Sequence, residues 1–214
     1  MPVIHGVNAS PFVRKVLVAL AEKGIAYEQK PVMPFNQSKE FYEISPLGKI
    51  PVYQDGEFTL PDSSCIIAYL ERTQPKPALY PSDPQEFGRA LWYEEYSDSK
   101  LTEAVGPVFF QRAVRKRFFK QEPDEELVQK QLKEVVPPIF DYLESQVREG
   151  QPLVGAHFSI ADIAVGSIFA NFKHGGEQVD AGRWPKLAEF VERTHSRPSF
   201  KARIEEETAA FAAM

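Results

Sequence analysis

A serine at the predicted start of the first helix is the first residue whose position suggests chemistry. Ser10 and Pro11 stand directly before an apolar pattern with helical spacing, as an N-cap and a proline at the first helical position usually do. A hydroxyl at a helix N-terminus can also hold an anion, because the terminal N–H groups and the helix dipole favour negative charge. The stretch alone leaves both interpretations open, a structural cap or a residue that activates a bound anion.

A second polar pair opens another predicted helix. Asp62 and Ser63 precede the amphipathic stretch "SCIIAYLERT", so their ordinary role is capping. A cap and an anion site can share one geometry, because both use the first helical N–H groups.

Cysteine and histidine usage argues against metal or disulfide chemistry. Cys65 is the single cysteine, which excludes an internal disulfide and a CxxC pair. The four histidines are far apart in the chain and show no ligand spacing: His5, His157, His174 and His195. We therefore expect no metal site, and a reducing compartment such as the cytoplasm.

Composition excludes several classes of function. The 214 residues are 43% hydrophobic and 26% charged, as in a globular protein, with a formal net charge of -5. That charge gives no reason to expect a nucleic-acid partner. No apolar run approaches the roughly 20 residues needed to cross a bilayer, and "MPVIHG" does not resemble a secretory signal.

The elements that must position these residues follow from hydrophobic periodicity. The order over residues 1 to 74 is strand, helix, strand, helix, hairpin, helix, with Gly24 ending the first helix and Asp55-Gly56 forming the hairpin turn. A parallel strand–helix–strand unit followed by a hairpin predicts a small mixed sheet covered by helices.

The remainder of the chain is predicted to be helical. "QPKPALYPSDPQ" carries four prolines and indicates a linker, after which helical periodicity continues to the C-terminus. The predicted boundaries are 1–77 for the first domain, 78–86 for the linker and 87–214 for an all-helical domain. Gly106-Pro107 and Pro137-Pro138 are expected to kink or end helices, the latter pair more as an end. Ser159 followed by Asp162 resembles a capping box, and the basic run 112–120 indicates a solvated helix end with Phe118 or Phe119 buried.

Four stretches, in this order across the linker, resemble cytosolic glutathione S-transferases. They are "SPFVRKVLVALAEKGIAYE", "SPLGKIPV", "LPDSSCIIAYLE" and "LVGAHFSIADIAVGSI". The first is similar to the serine-type classes, above all the plant tau class, with phi and theta as further relatives. The resemblance covers nearly the whole chain. It implies a thioredoxin-like α/β N-terminal domain that binds glutathione and an all-α C-terminal domain that helps to bind the second substrate.

The resemblance also implies roles for particular residues. Ser10 would donate a hydrogen bond to the glutathione sulfur, a role that Asn8 could share. Ile50 would pair with the cysteinyl backbone beside a cis Pro51, and Ser63 would hold the γ-glutamyl carboxylate while Asp62 bears on the ammonium. Most relatives have Glu in place of Asp62.

The remaining expected contacts are weaker matches to the family pattern. Lys49 would meet the glycyl carboxylate, where phi-class relatives have Gln. Asn36 and Gln37 replace a His-Lys pair of that class, so we expect only a neutral hydrogen bond from Gln37, with Lys39 as a nearby substitute. The electrophile pocket is predicted to include Val7, Asn8, Phe12, Phe109 and Phe110, with Phe211 as a further candidate.

Three functions remain open from the sequence. The leading hypothesis is a cytoplasmic detoxifying transferase that joins glutathione, as co-substrate, to small hydrophobic electrophiles and forms a homodimer, as the family usually does. The second is a glutathione-dependent peroxidase or isomerase, which needs the same thiolate. The third is a non-catalytic binding or scaffold protein on the same fold.

Overall fold

The chain divides into two compact units in a computed structural model that describes residues 1–213. The first unit is Met1–Tyr80 and the second is Pro81–Met214. Met214, the last residue of the predicted helical domain, lies outside the described residues.

The first unit contains a four-stranded sheet in the order β2-β1-β3-β4. β1 and β2 are parallel, and the two other pairs are antiparallel. Its elements are β1 (Val3–His5), α1 (Pro11–Glu22), β2 (Glu28–Lys30), α2 (Lys39–Ile44), β3 (Val52–Asp55), β4 (Phe58–Pro61) and α3 (Ser63–Thr73). The predicted thioredoxin-like mixed sheet is confirmed.

Helix α1 forms where the apolar spacing predicts it. Val13, Val16 and Leu17 are fully buried, and the helix ends before Gly24, whose φ of +66° suits a residue without a side chain. Arg14 and Lys15 are also buried, which the periodicity does not predict.

The second unit is helical, as predicted. Its elements are α4 (Pro84–Tyr96), α5 (Thr102–Phe109), α6 (Lys116–Phe119), α7 (Glu125–Lys130), α8 (Val136–Gln146), α9 (Ile160–His174), α10 (Pro185–His195) and α11 (Pro198–Ala212), with π-helical turns at Ser97–Leu101, Phe110–Arg115 and Gln131–Val135. None of the helices described is long and apolar enough to cross a membrane.

Helix α4 starts inside the segment predicted as linker. The Asp83 carboxylate accepts hydrogen bonds from the backbone N–H groups of Gln85 and Glu86, at 3.0 and 2.9 Å, and Pro84 occupies the first turn. An aspartate cap followed by proline is a strong start signal, so helical structure begins before residue 87.

The prolines expected to kink or end helices lie within continuous helical runs. Pro107 is inside α5, and Pro137-Pro138 lie in the first turn of α8, directly after the π turn Gln131–Val135. A proline lacks the N–H that would bond a carbonyl one turn earlier. The wider π turn lies at that place, so the helix changes type at residue 136 and does not stop there.

Helix α9 is the centre of the second unit. Every residue from Ile160 to Phe172 is buried. Gly166 permits close packing, since an added Cβ would lie 2.6 Å from Cγ2 of Thr194. The predicted capping box is confirmed, because Asp162 accepts from the backbone N–H of Ser159 at 2.9 Å.

Candidate functional site

Strand register brings three predicted site segments to one end of the sheet. His5 pairs with Val52, and Val52 pairs with Pro61. Because neighbouring strands here are antiparallel, the next residues beyond this row are Gly6, Pro51 and Asp62, at the same end of β1, β3 and β4. The loop that carries Ser10, the Ile50-Pro51 bond and the start of α3 are therefore neighbours.

Gly6 allows the first of these segments to lie close to the second. Its φ is +151°, and an added Cβ would lie 2.5 Å from Cγ2 of Val13 and 3.3 Å from Cβ of Ile50. Only a residue without a side chain fits between the first turn of α1 and Ile50. The Ile50-Pro51 peptide bond is cis, as the family resemblance implies.

Ser10 is the N-cap of α1, with its hydroxyl oxygen 3.4 Å from the backbone N of Val13. Its backbone N–H bonds to the carbonyl of Val7 at 3.1 Å. A serine hydroxyl has two lone pairs and one O–H donor. As the N-cap, the Ser10 oxygen accepts a hydrogen bond with one lone pair, and its O–H is not used. Ser10 can therefore cap α1 and donate a hydrogen bond to an anion at the same time.

Asp62 caps α3 from an unusual backbone conformation. Its φ is +77°, a region that costs a non-glycine residue about 1–3 kcal/mol. Both cap bonds, from the N–H groups of Ser64 and Cys65, end on Oδ1 at 3.0 Å. The cap therefore does not use Oδ2. The neighbouring Ser63 is the first residue of the helix and is 3% exposed.

A buried lysine that the sequence argument missed supports the start of α3. Nζ of Lys15 donates to the hydroxyl oxygen of Ser64 at 3.0 Å, and Lys15 is 1% exposed. A cation beside a helix N-terminus adds to the positive potential there. No local pattern marks Lys15 as a buried residue, and its burial becomes evident only from its packing against α3.

Gln29 is a second residue that the sequence argument missed. Its Nε2 donates to the carbonyl oxygen of Gly6 at 2.9 Å and to Oδ1 of Asn8. The Gly6 N–H bonds to the Lys30 carbonyl, also at 2.9 Å. Strand β2 thus holds the loop that leads to Ser10, and no local motif marks Gln29 in advance.

Gln37 and Lys49, two other predicted glutathione contacts, form hydrogen bonds to residues four positions away in the chain. Nε2 of Gln37 donates to the carbonyl of Met33. The backbone of Lys49 is fixed by Ser45, whose hydroxyl accepts from the Lys49 N–H at 3.1 Å and donates to its carbonyl at 2.7 Å. The Lys49 side chain is exposed.

The predicted pocket residues fall in both units. Val7, Asn8 and Phe12 are half-buried in the first unit. In the second, Phe109 packs edge-on against Phe211, with 6.1 Å between ring centres. Phe110 is 42% exposed, so adjacent residues of the same helical run have different surroundings.

The basic run 112–120 is occupied by intramolecular contacts. Arg112 pairs with Glu125 at 2.9 Å and with Glu177 at 2.5 Å, which raises the pKa of the guanidinium further above its ordinary value. Arg117 donates to the carbonyls of Phe211 and Ala113. The expected burial of Phe118 or Phe119 is wrong: Phe118 is half-buried, and Phe119 is 43% exposed and packs on another exposed ring.

Cys65 is exposed, although it stands in an apolar run. It follows the two serines of the first turn of α3, whose buried face is formed by Ile66, Ile67 and Leu70. Among residues 1–213, no group of three or more His, Cys, Asp or Glu is arranged to hold a metal ion.

Family models match both parts of the chain. The glutathione S-transferase N-terminal domain matches residues 4–78, and the glutathione S-transferase C-terminal domain matches residues 109–207. An Escherichia coli relative, the uncharacterized GST-like protein YibF, is 32% identical over 91% of this chain and 94% of its own length. FtsZ-localized protein A of Caulobacter vibrioides is 23% identical over 92% of this chain and 88% of its own.

A solved glutathione S-transferase structure is similar over nearly the whole chain. The glutathione S-transferase of Methylobacterium radiotolerans, crystallised with glutathione sulfonate, is similar with a TM-score of 0.76 and 28% identity, covering 95% of this chain and 94% of that one. Both domain models match in order, and the mixed sheet is followed by a helical unit. This chain therefore belongs to the glutathione S-transferase family.

Proposed function

We propose that this protein is a glutathione transferase that holds the glutathione thiol as a thiolate for attack on small hydrophobic electrophiles. The observation that carries the proposal is the row of Gly6, Pro51 and Asp62, which places the Ser10 loop beside Ile50-Pro51 and the start of α3. A tripeptide laid along this end of the sheet would meet a group suited to each of its parts.

The tripeptide is proposed to bind as an added strand. Ile50 would pair with its cysteinyl backbone through main-chain hydrogen bonds. The γ-glutamyl carboxylate would lie at the N-terminus of α3 against Ser63, with Lys15 beneath it, and Oδ2 of Asp62 would face the ammonium. At the other end, Lys49 would attract the glycyl carboxylate as a mobile charge, and Gln37 would offer at most a neutral hydrogen bond.

Ser10 is the proposed catalytic residue. A free cysteine thiol has a pKa of about 8.5, so it is mostly protonated at pH 7. The Ser10 O–H would donate to the sulfur and the positive end of α1 would favour its charge, so the thiol releases its proton to solvent more readily. The thiolate then forms a bond to the electrophilic carbon, and the leaving group departs with its electron pair.

The remaining parts of the proposal concern the second substrate, the assembly and the location. For the electrophile, the proposed contacts are Val7, Asn8 and Phe12 in the first unit, and Phe109 and Phe110 in the second. A homodimer and a cytoplasmic location are expected from the family.

The test compares two helix caps of the first unit. Ser10→Ala and Ser38→Ala each remove an N-cap hydroxyl, from Val13 N at 3.4 Å and from Phe41 N at 3.3 Å, so both should cost about 0.5–2 kcal/mol of stability. Only Ser10→Ala should raise the pH at which conjugation of an aryl halide begins, by about one to two units. An unchanged pH profile would remove Ser10 from the mechanism.

A non-catalytic role is the second candidate, since a relative along nearly the whole chain is named for localisation with FtsZ and not for a transferase activity. Retention on immobilised glutathione separates the two, because a scaffold does not need the site. For a chain that binds glutathione, turnover of an aryl halide, an organic hydroperoxide and a maleyl-type isomerisation substrate distinguishes transferase from peroxidase or isomerase.

A further inference from the structure

We infer that Gln29 is a positioning residue that fixes the polarity of the Asn8 carboxamide, so that Asn8 offers an N–H donor to the glutathione sulfur beside Ser10. This inference rests on the proposed function, because it assigns a further group to the same thiolate. It concerns two residues joined by one hydrogen bond, on β2 and on the loop before α1.

The polarity follows from an acceptor that cannot be reversed. The carbonyl oxygen of Gly6 only accepts hydrogen bonds, and the residue is tied to β2 by the bond from the Gly6 N–H, in the preceding peptide, to the Lys30 carbonyl. The end of the Gln29 amide that lies 2.9 Å from this oxygen must therefore be Nε2. A glutamine rotated end for end would bring two acceptors together.

The orientation of the Gln29 amide in turn fixes the orientation of the Asn8 carboxamide. Because Nε2 of Gln29 is a donor, the atom of Asn8 that faces it must be the acceptor Oδ1. The opposite end of the Asn8 carboxamide is therefore Nδ2, a donor. An asparagine with the reverse orientation would present its oxygen there, which repels a thiolate. The carbonyl of Gly6, the residue directly after β1, thus decides, through Gln29, which sign of partial charge Asn8 can offer.

The placement of Asn8 makes this polarity relevant to the sulfur. Asn8 lies in the tight loop closed by the bond from the Ser10 N–H to the Val7 carbonyl, at 3.1 Å. It is half-buried, as Ser10 is. Two donors on one short loop would share a single anion, and each would lower the pKa of the bound thiol.

The experiment is a double-mutant cycle read out on the thiol itself. The ultraviolet absorbance of the thiolate is followed against pH for glutathione bound to the wild type, Asn8→Ala, Gln29→Met and the double variant. Met has nearly the shape of Gln but no amide, so it releases Asn8 without a new charge. Each single change should raise the thiol pKa by about one unit, and the double variant no further than Asn8→Ala.

A matched control removes another glutamine from the sheet. Gln54, half-buried on β3, bonds to His5 at 2.8 Å and to the carbonyl of Gly56 at 3.4 Å, away from the loop. Gln54→Met should leave the thiol pKa at the wild-type value. Thermal unfolding of all variants verifies that each is folded at the temperature of the titration.

Each outcome decides the matter. Equal pKa values in the wild type and Gln29→Met overturn the inference, as does an equal effect of Gln29→Met with and without Asn8. If Gln29→Met does not fold, an unchanged thiol pKa in Asn8→Ala still overturns the inference. Wild-type protein that does not bind glutathione, or binds it without lowering the thiol pKa, overturns the proposed function and this inference together. Failure of the cycle alone leaves the role of Ser10 standing.

Discussion

The side-chain amide of Gln131 donates a hydrogen bond to the backbone carbonyl of Glu103, over 3.2 Å. In an unbroken α-helix the backbone N–H of residue 107 would donate to the Glu103 carbonyl. Residue 107 is a proline, which has no N–H. A side chain from the π turn Gln131–Val135 thus supplies the donor that α5 lacks.

This relationship predicts non-additive stabilities. Gln131→Met should destabilise the protein by about 0.5–1.5 kcal/mol, because the Glu103 carbonyl loses its donor. In a Pro107→Ala background the backbone N–H restored at that position can take over, so the same change should cost clearly less. Urea unfolding of the four proteins measures both values. Equal costs in the two backgrounds would show that Gln131 acts through some other contact.

Asp62 can be tested for its charge separately from its cap. Asp62→Asn keeps an oxygen for the Ser64 and Cys65 N–H groups and tolerates a positive φ, so stability should change by less than about 0.5 kcal/mol. Loss of the charge that we propose to face the glutathione ammonium should weaken binding by roughly three- to tenfold.

Calorimetric titration with glutathione measures this loss of affinity. Asp83→Asn is the control, since Asp83 caps α4 with the same bonding pattern, to Gln85 and Glu86, outside the first unit. If both substitutions weaken binding equally, the charge of Asp62 has no specific role.

The C-terminal helix is held by a buried hydrogen bond between Glu207 and His174. Their side chains are 0% and 6% exposed, and Oε2 of Glu207 lies 2.7 Å from Nε2 of His174. Glu207→Ala should cost about 1–3 kcal/mol, because the buried imidazole of His174 loses its hydrogen-bond partner. Glu207→Gln, which keeps an acceptor for the imidazole N–H, should cost less.

An exposed pair on the same helix provides the comparison. Glu205 lies 3.9 Å from Lys201, with both side chains about two-thirds exposed, so Glu205→Ala should change stability by less than about 1 kcal/mol. Similar urea midpoints for Glu205→Ala and Glu207→Ala would contradict the proposed contribution of the buried pair.

Two aspartates should affect the pH dependence of stability in opposite directions. Burial raises the pKa of Asp162 above 3.8, so the native state binds the proton more tightly than the unfolded chain does. Its contribution is therefore largest at acid pH and falls as pH rises through the raised pKa. The stability difference between wild type and Asp162→Asn should decrease from pH 4 towards neutrality.

Asp141 supplies the control of opposite sign. The hydrogen bond from the Trp184 indole at 2.6 Å, with Arg183 as a further partner, lowers the pKa of Asp141 below 3.8. Its contribution is present above pH 3.8 and is lost as pH falls through the lowered value. Urea unfolding at a series of pH values should show the Asp141→Asn difference growing with pH. Parallel trends for the two variants would contradict one of these directions.

The sequence by itself determined the elements and their caps. Three signals are local, because each depends on residues within one turn of the chain. They are Ser10 with Pro11, the Ser159–Asp162 box, and Asp55-Gly56, which predicts a hairpin whose turn residues are Gly56 and Glu57 in the structure. The family resemblance, carried by four short motifs, added the cis bond before Pro51 and the likeness to glutathione transferases. These predictions needed no knowledge of which elements touch.

The tertiary structure decided which groups meet across the chain. Strand register placed Gly6, Pro51 and Asp62 in one row at the same end of the sheet, and packing buried Lys15 under the start of α3. The bonds of Gln29 to Asn8 and of Gln131 to Glu103 span 21 and 28 residues. Pairings at such separations depend on how the elements pack together, since a glutamine carries no pattern that names its partner. The proposed orientation of Asn8 therefore depends on the pairing of β1 with β2 and could not be predicted from the sequence.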